Sequence, residues 1–157
     1  MTPIRVLDVG STSDNRRSVI VLEDLDQRLR LVFYTDAGEA HRLAKELGHG
    51  RCPCNPVYDF IQSLLDTCGA TIGRVVLDDA PGKGLEALVD VNLDGIAAPI
   101  TLPCFAPDAL ALALRARVPI YATARVLEHA TPPTPRRVIP TAADVRRWVG
   151  RLRPDDF

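Results

Sequence analysis

Short apolar runs separated by polar turns occupy two stretches of the chain, and each stretch ends in a helical pattern. The runs are rich in Val, Ile and Leu and lie at residues 4–9, 18–23, 29–34, 71–78, 85–91 and 98–103. Runs of this length bounded by turn residues predict β-strands, and their short connections favour antiparallel pairing. A further strand is predicted at residues 118–123.

The first helical pattern follows the third strand. It begins at Asp36-x-x-Glu39, a capping-box-like start, and ends at Gly48. Its apolar stripe has the spacing i, i+3, i+4, i+7 and consists of Ala40, Leu43, Ala44 and Leu47. This spacing predicts an amphipathic helix with one face in the core.

Two further long helices are predicted, with a short one around residues 124–130. Asn55-Pro56 opens the first, with Asn as the N-cap, and Gly69 ends it. Its buried face is expected to hold Val57, Phe60, Ile61, Leu64, Leu65 and Cys68. The second opens at Pro107-Asp108 and is apolar nearly all round, which is typical of a buried central helix.

A long-period repeat connects these patterns. Glu39-Ala-x-x-Leu-Ala is matched by Asp108-Ala-x-x-Leu-Ala, 69 residues later. The same offset relates Arg5-Val6 to Arg74-Val75, Val19 to Leu88 and Leu31 to Ile100. Self-similarity at a fixed period indicates a duplicated structural unit. We therefore predict an α+β fold built from two copies of strand–strand–strand–helix.

Composition narrows the class of protein but does not indicate a function. The chain has 157 residues, 46% apolar and 25% charged, with a net charge of −1. This profile is typical of one globular domain, and no global field attracts nucleic acid. No secretory signal or bilayer-spanning run is visible, so we expect a cytoplasmic protein with reduced thiols. Cys68 and Cys104 are expected to be buried, and the segment His49-Gly-Arg-Cys52-Pro-Cys54 is interpreted as a loop rather than a zinc site, because no second ligand pair appears.

The C-terminal part has a different organisation. A compact domain is predicted over residues 1–130, a Pro-rich linker over 131–140, and an amphipathic helix with a tail over 141–157. The apolar stripe of this helix contains Val145, Trp148, Val149 and Leu152. It is expected to dock on the domain or on a second subunit.

Several of these segments resemble the bifunctional nuclease (BFN) domain family. The most specific part is Pro107-Asp-Ala-Leu-Ala-Leu-Ala-Leu-Arg115 followed by Pro119-Ile-Tyr121, supported by Glu39-Ala-x-x-Leu-Ala and Asn55-Pro-Val-Tyr-Asp59. The closing Pro154-Asp-Asp-Phe157 is also similar. The resemblance implies a single-domain mixed or antiparallel sheet roll with packed helices, self-association into homo-oligomers, and nuclease activity on RNA or DNA.

The chain departs from the family pattern at polar positions. Family members read Asp-Ala-Arg-Pro-Ser-Asp-Ala before the buried helix, where this chain has Pro103-Cys-Phe-Ala-Pro-Asp108-Ala. The family's second helix starts Arg-Pro-x-Thr-His-Asp, and here that segment is Cys54-Asn-Pro-Val-Tyr58-Asp59. One carboxylate remains in each motif.

Three acidic residues are the candidate catalytic groups: Glu39, Asp59 and Asp108. Phosphodiester hydrolysis needs an activated water and positive charge on the phosphate, often supplied by a carboxylate-held cation. Asp108 and Glu39 are the candidate ligands for Mg²⁺, which needs only one or two carboxylates. The alternative is structural, since each acid lies near a predicted helix N-terminus, where negative charge is stabilised.

Candidate nucleic-acid-binding residues are Arg115, Arg146, Arg147 and Arg151, since arginines contact phosphates without reading sequence. The alternative is a solvated helix face. Aromatic residues are only 5% of the chain, which argues against a stacking platform. Two hypotheses therefore remain: a BFN-family nuclease, and a non-catalytic homo-oligomeric binding or regulatory module that has lost the polar site.

Overall fold

The chain runs through three strands and a helix twice, in the same order. A computed structural model describes residues 1–11, 17–49, 55–80 and 84–133. The elements are β1 Thr2–Ser11, β2 Ser18–Asp24, β3 Arg30–Thr35, α1 Ala37–His49, α2 Pro56–Thr67, β4 Ala70–Ala80, β5 Gly84–Leu93, β6 Ile100–Phe105, α3 Ala106–Ala116, β7 Ile120–Ala122 and α4 Ala124–Leu127. All the predicted strands and helices within the described residues are present.

One seven-stranded mixed sheet contains all the strands, in the order β3-β2-β1-β7-β4-β5-β6. β7 pairs antiparallel with β1 and parallel with β4, so β1 and β4 run in opposite directions. The two halves are therefore mirrored in strand order about β7 and reversed in direction. Two halves related in this way have an approximate two-fold axis normal to the sheet. A mixed sheet packed with helices confirms the predicted α+β fold.

The pairing of the strands shows which residues of the two halves are equivalent, and the offset between them is not 69 everywhere. Arg5 lies opposite Glu23 in one half, and Arg74 lies opposite Asp90 in the other. The first strands and the helices keep the offset of 69, but Glu23 corresponds to Asp90, which is 67 residues away. The matches of Val19 with Leu88 and Leu31 with Ile100 are displaced by two residues. Because side chains alternate along a strand, an even displacement leaves the same residues facing the core.

The core lies between the sheet and the helices. Its fully buried members include Ile20 and Leu22 from β2, Val75 and Leu77 from β4, and Leu110 from α3. The sheet also curls, because Phe33 and Thr35 of edge strand β3 line the same pocket as Phe105 at the end of the opposite edge strand β6. The expected roll is therefore present.

The opposite face of the sheet carries ion pairs. Glu23 is buried and accepts hydrogen bonds from Arg5 at 2.7 Å and from Arg30 at 3.0 Å. In the other half, Asp90 accepts from the Arg74 side chain and from the Thr101 hydroxyl, both at 2.6 Å. Without these partners, the buried carboxylates of Glu23 and Asp90 would carry an uncompensated charge, which is costly.

Several local expectations were wrong. Leu43 is buried, but Ala44 is exposed and Glu46 lies in the core. On α2, Tyr58 is buried, whereas Val57, Phe60 and Leu64 are 64%, 67% and 51% exposed. Cys68 is exposed as well. The period of the apolar residues on α2 was correct, but its buried side is the one with Tyr58, Ile61 and Leu65.

The C-terminal predictions lie largely outside the described residues, which end at residue 133. Thr131, at the start of the expected linker, pairs with Arg30 on the edge of β3. In the part of the chain that the structure describes, no helix is long and apolar enough to cross a membrane.

Candidate functional site

A polar cluster occupies the junction of α1, α2 and α3. Tyr58, in the first turn of α2, is buried, and its hydroxyl donates a hydrogen bond of 2.6 Å to Oδ1 of Asp108. A guanidinium nitrogen of Arg42, on α1, lies 3.6 Å from the same oxygen. Asp108 and Arg42 are both partly exposed, so the cluster is open to solvent on one side.

Local sequence explains how the three helices meet. α3 contributes Ala106, Ala109 and Ala113 to its buried surface, and small side chains let α1 approach closely. Asp108 is in the first turn of α3, where the unpaired backbone N–H groups stabilise a carboxylate. Tyr58 stands where the family resemblance expects a histidine.

Two groups of the cluster, and a thiol near it, have raised pKa values. Burial, together with the hydrogen bond to Asp108, raises the pKa of Tyr58 well above its ordinary value, so its hydroxyl remains a donor at neutral pH. The hydrogen bond to Tyr58 raises the pKa of Arg42, with support from the negative charges of Asp108 and Asp36. Burial and the Asp108 carboxylate raise the pKa of the Cys104 thiol, which therefore stays protonated.

Glu39 has a structural role at the start of α1. Its backbone N–H donates to Oδ1 of Asp36 at 2.7 Å, and the Asp36 N–H donates to Glu39 Oε2 at 3.2 Å. The Thr35 hydroxyl also donates to Oε2. The capping box predicted from Asp36-x-x-Glu39 is therefore confirmed.

Asp59 is half-exposed and lies at the end of a second network, whose other members are buried. Its Oδ1 lies 2.7 Å from a guanidinium nitrogen of Arg115, and Arg115 Nε lies 3.4 Å from Glu46 Oε2. The Asn55 side-chain amide donates to Glu46 Oε1 at 2.7 Å and to the Arg42 carbonyl at 3.2 Å. Asn55 is the N-cap residue of α2, as predicted, but its side chain ties α2 to α1 and makes no capping hydrogen bond.

The three candidate acids therefore have different partners. Asp108 contacts Tyr58 and Arg42, Asp59 pairs with Arg115, and Glu39 caps its own helix. Within the described residues, no group of three or more His, Cys, Asp and Glu side chains is arranged to hold a metal ion. Mg²⁺ at Asp108 and Glu39 remains a prediction.

The placement of Arg115 corrects its assignment as a nucleic-acid contact. It is 4% exposed, and its guanidinium pairs with the buried Glu46 and with Asp59, so it is not accessible to a phosphate in this structure. Arg146, Arg147 and Arg151 lie outside the described residues.

Four residues of these networks were not singled out from the sequence as candidate functional or charge-pairing residues: Arg42, Glu46, Asn55 and Tyr58. One signal was available for Glu46, because it lies between apolar positions of α1 and is separated from Arg115 by the 69-residue offset. Glu46 and Arg115 thus occupy equivalent positions in the two copies of the repeat. Because they contact one another, they lie close to the two-fold axis that relates the copies.

Comparison with known proteins gives the family. The sequence model of the bifunctional nuclease domain matches residues 20–134, which contain every helix of both networks. The chain belongs to the bifunctional nuclease domain family. No curated protein matches the sequence at a significant level. In this BFN domain, Asp59 and Asp108 are the carboxylates retained from the two polar motifs. Both are partly exposed, but Asp108 lies beside the partly exposed Arg42, whereas the arginine partner of Asp59 is buried.

Proposed function

We propose that this BFN domain binds RNA or DNA and hydrolyses phosphodiester bonds at the cluster of Asp108, Arg42 and Tyr58. The observation that carries the proposal is a partly exposed Asp–Arg pair held by a buried tyrosine. Membership of a nuclease family supports it. The pair brings together the two charges that the reaction uses, a base for water and a cation for phosphate.

Each residue has a distinct part in the reaction. The Arg42 guanidinium binds the non-bridging phosphate oxygens and offsets the charge that develops on them. Asp108 accepts a proton from the water that attacks phosphorus, and the leaving oxygen takes a proton from solvent. Tyr58 donates to Oδ1 of Asp108 and thereby orients the carboxylate. Glu39 and Asp59 position helices α1 and α2 around this centre.

Mg²⁺ is the cofactor to test. A divalent cation, when bound, would supply further positive charge to the phosphate. Asp108 has a second carboxylate oxygen besides the one that Tyr58 and Arg42 contact, and Mg²⁺ keeps most of its waters when it binds one carboxylate. Glu39, predicted as the second ligand, has Oε2 engaged in helix capping.

The contacts of the acids favour one alternative, a non-catalytic homo-oligomeric binding or regulatory module. Asp59 is paired with a buried arginine, and Glu39 is a capping residue, so both are explained without chemistry. The exposed apolar stripe on α2, formed by Val57, Phe60 and Leu64, supports self-association. In this alternative the domain binds its partner but cleaves nothing.

Turnover of a single-stranded RNA and a single-stranded DNA separates the two functions. We expect cleavage by the full chain with Mg²⁺, and a reduction of about 100-fold or more in Arg42→Ala, which keeps Asp108 but loses the phosphate-binding charge. The Arg125→Ala variant is the matched control, because Arg125 also pairs with an aspartate at the surface. Cleavage that persists in a chelator would exclude the Mg²⁺ requirement, and no cleavage under any condition would favour the module.

A further inference from the structure

A pocket of about 200 Å³ adjoins the polar cluster and gathers aromatic rings. It lies where β3 and β6 end and where α1 and α3 begin. Its walls include Phe33, Tyr34, Thr35, Glu39, Phe105 and Pro107. Three of the eight aromatic residues of the chain therefore line one pocket, although aromatic residues are rare in the sequence.

Two of the three aromatic residues that line the pocket are exposed to solvent. Tyr34 is 61% exposed and Phe105 is 54% exposed, whereas Phe33 is packed partly against the core. Drug-sized sites occupy about 300–1,000 Å³, so this pocket suits one planar ring system. Exposed aromatic faces beside such a volume favour stacking with a flat ring.

The Glu39 carboxylate in the pocket favours a ring that carries a hydrogen-bond donor. Both hydrogen bonds that the Glu39 carboxylate accepts from Thr35 and Asp36 end on Oε2. Within the described part of the chain this leaves Oε1 as an acceptor in a half-buried site. A carboxylate accepts from the exocyclic amino group of a base, as in cytosine. An apolar side chain in the same place would desolvate the carboxylate without pairing it.

The pocket and the cluster are neighbours along both helices. Glu39 precedes Arg42 by one turn of α1, and Pro107 immediately precedes Asp108 on α3. A base in the pocket would therefore have its backbone phosphate near Arg42. The Arg17 guanidinium lies over the Tyr34 ring, 5.6 Å from its centre, and adds positive charge there.

We propose that this pocket holds one unpaired, amino-bearing nucleobase of a single-stranded nucleic acid, stacked on Tyr34 and Phe105 and hydrogen-bonded to Glu39. The inference rests on the proposed function, since it names how the substrate is held beside Asp108 and Arg42. The domain would therefore bind single strands in preference to duplexes, because a base that is stacked and paired within a duplex cannot enter the pocket.

Binding without cleavage tests the pocket. Fluorescence anisotropy with a labelled short oligodeoxycytidine, in a chelator, gives the dissociation constant of the full chain. Stacking of about 1–3 kcal/mol per base predicts that Tyr34→Ala and Phe105→Ala each weaken binding by about 5- to 150-fold. Val32→Ala is the control, because Val32 is an exposed residue of β3 that does not line this pocket, and it should bind as the wild type does.

Base preference tests the role of Glu39. The wild type should bind oligodeoxycytidine more tightly than oligothymidine, which has no exocyclic amino group, and an abasic strand should bind more weakly than either. Glu39→Gln should reduce the preference for cytosine, while thermal unfolding stays close to wild type because Gln also completes a capping box.

The outcomes distinguish a failure of the base-binding proposal from a failure of the nuclease proposal. Equal binding by the wild type, Tyr34→Ala and Phe105→Ala would overturn the pocket, even if the protein cleaves nucleic acid. Loss of binding in these variants without any cleavage by the wild type would support the pocket and reject the nuclease proposal. Equal affinity for the oligodeoxycytidine and the abasic strand would also overturn the pocket, because contacts to the sugar–phosphate backbone would then explain all the binding.

Discussion

At the scale of single residues, Asp108, Glu39 and Asp59 show what sequence patterns can predict. Each was recognised as an acid at a helix start, and each lies in a first helical turn or its capping position. Their partners were not predictable, because Tyr58, Arg115 and Arg42 come from other helices. A local pattern determines where a carboxylate lies on its own helix, but the packing of neighbouring helices decides what it contacts.

Tyr58→Phe should weaken the cluster. The change removes the hydroxyl that donates to Asp108 at 2.6 Å and keeps the buried ring. We expect the free energy of unfolding to fall by about 0.5–1.5 kcal/mol, because Asp108 is partly exposed and water can replace the lost donor. Urea unfolding measures this, with Tyr121→Phe on β7 as the matched control. A stability equal to wild type would show that the hydrogen bond contributes nothing.

The ion pairs on the open face of the sheet should give an acid-dependent stability. The hydrogen bond from Arg5, with Arg30, lowers the pKa of Glu23 below its ordinary 4.5, and the hydrogen bond from Thr101, with Arg74, lowers that of Asp90 below 3.8. A carboxylate with a lowered folded-state pKa stabilises the fold above its unfolded pKa. This stabilisation is lost as the pH falls through the folded-state value.

Glu23→Gln should therefore be less stable than wild type at neutral pH, and the difference should narrow as the pH falls below about 4.5. Urea unfolding across this pH range measures it. Glu128→Gln changes an exposed carboxylate of the same type and is the control. A Glu23→Gln deficit that is constant with pH would contradict the assigned ionisation of Glu23.

At the scale of elements, α2 shows the limit of hydrophobic periodicity. The sequence predicted its position between Asn55 and Gly69, and Gly69 does end it with a φ of +64°. It did not predict which side is buried, because Val57, Phe60 and Leu64 have the same spacing as the buried set. The buried side is the one from which the Tyr58 and Asn55 side chains reach hydrogen-bond partners on α3 and α1.

The buried network between α1, α2 and α3 should be sensitive to its arginine. Among the described residues, Arg115→Ala leaves Asn55 as the remaining side-chain partner of the buried Glu46 carboxylate. We expect a loss of about 3–5 kcal/mol in the free energy of unfolding. Replacing both charges, as Arg115→Met with Glu46→Leu, should recover part of that loss. Chemical denaturation of the single and double variants measures both effects. An Arg115→Ala protein as stable as wild type would contradict the burial of the network.

At the scale of the whole molecule, the duplication was visible in the sequence, but the joining of the halves was not. The repeat and the apolar runs predicted two sets of three strands and a helix, and the sheet contains both. The insertion of β7 between β1 and β4 could not be predicted, because three residues carry no signal of partner or direction. β7 follows α3, which packs on β4 and β5, and it pairs parallel with β4 and antiparallel with β1.

Self-association is the prediction that depends on the entire surface. If a second copy covers the α2 stripe, Phe60→Lys should convert an oligomer into a monomer, because a charge would be buried in the contact. Light scattering after size exclusion measures the mass, with Leu25→Lys, an exposed residue between β2 and β3, as the control. A monomeric wild type would contradict self-association, and an unchanged Phe60→Lys oligomer would place the interface elsewhere.

The most direct test of the central claim is the cleavage rate of Asp108→Asn on a single-stranded nucleic acid, compared with Asp78→Asn. Both aspartates accept a hydrogen bond from a hydroxyl and pair with a surface arginine, so the two changes are matched structurally. If Asp108 is the base, its variant should lose about 100-fold or more in rate, while Asp78→Asn cleaves like the wild type. Equal rates in both variants would contradict a catalytic role for Asp108 and with it the proposed site.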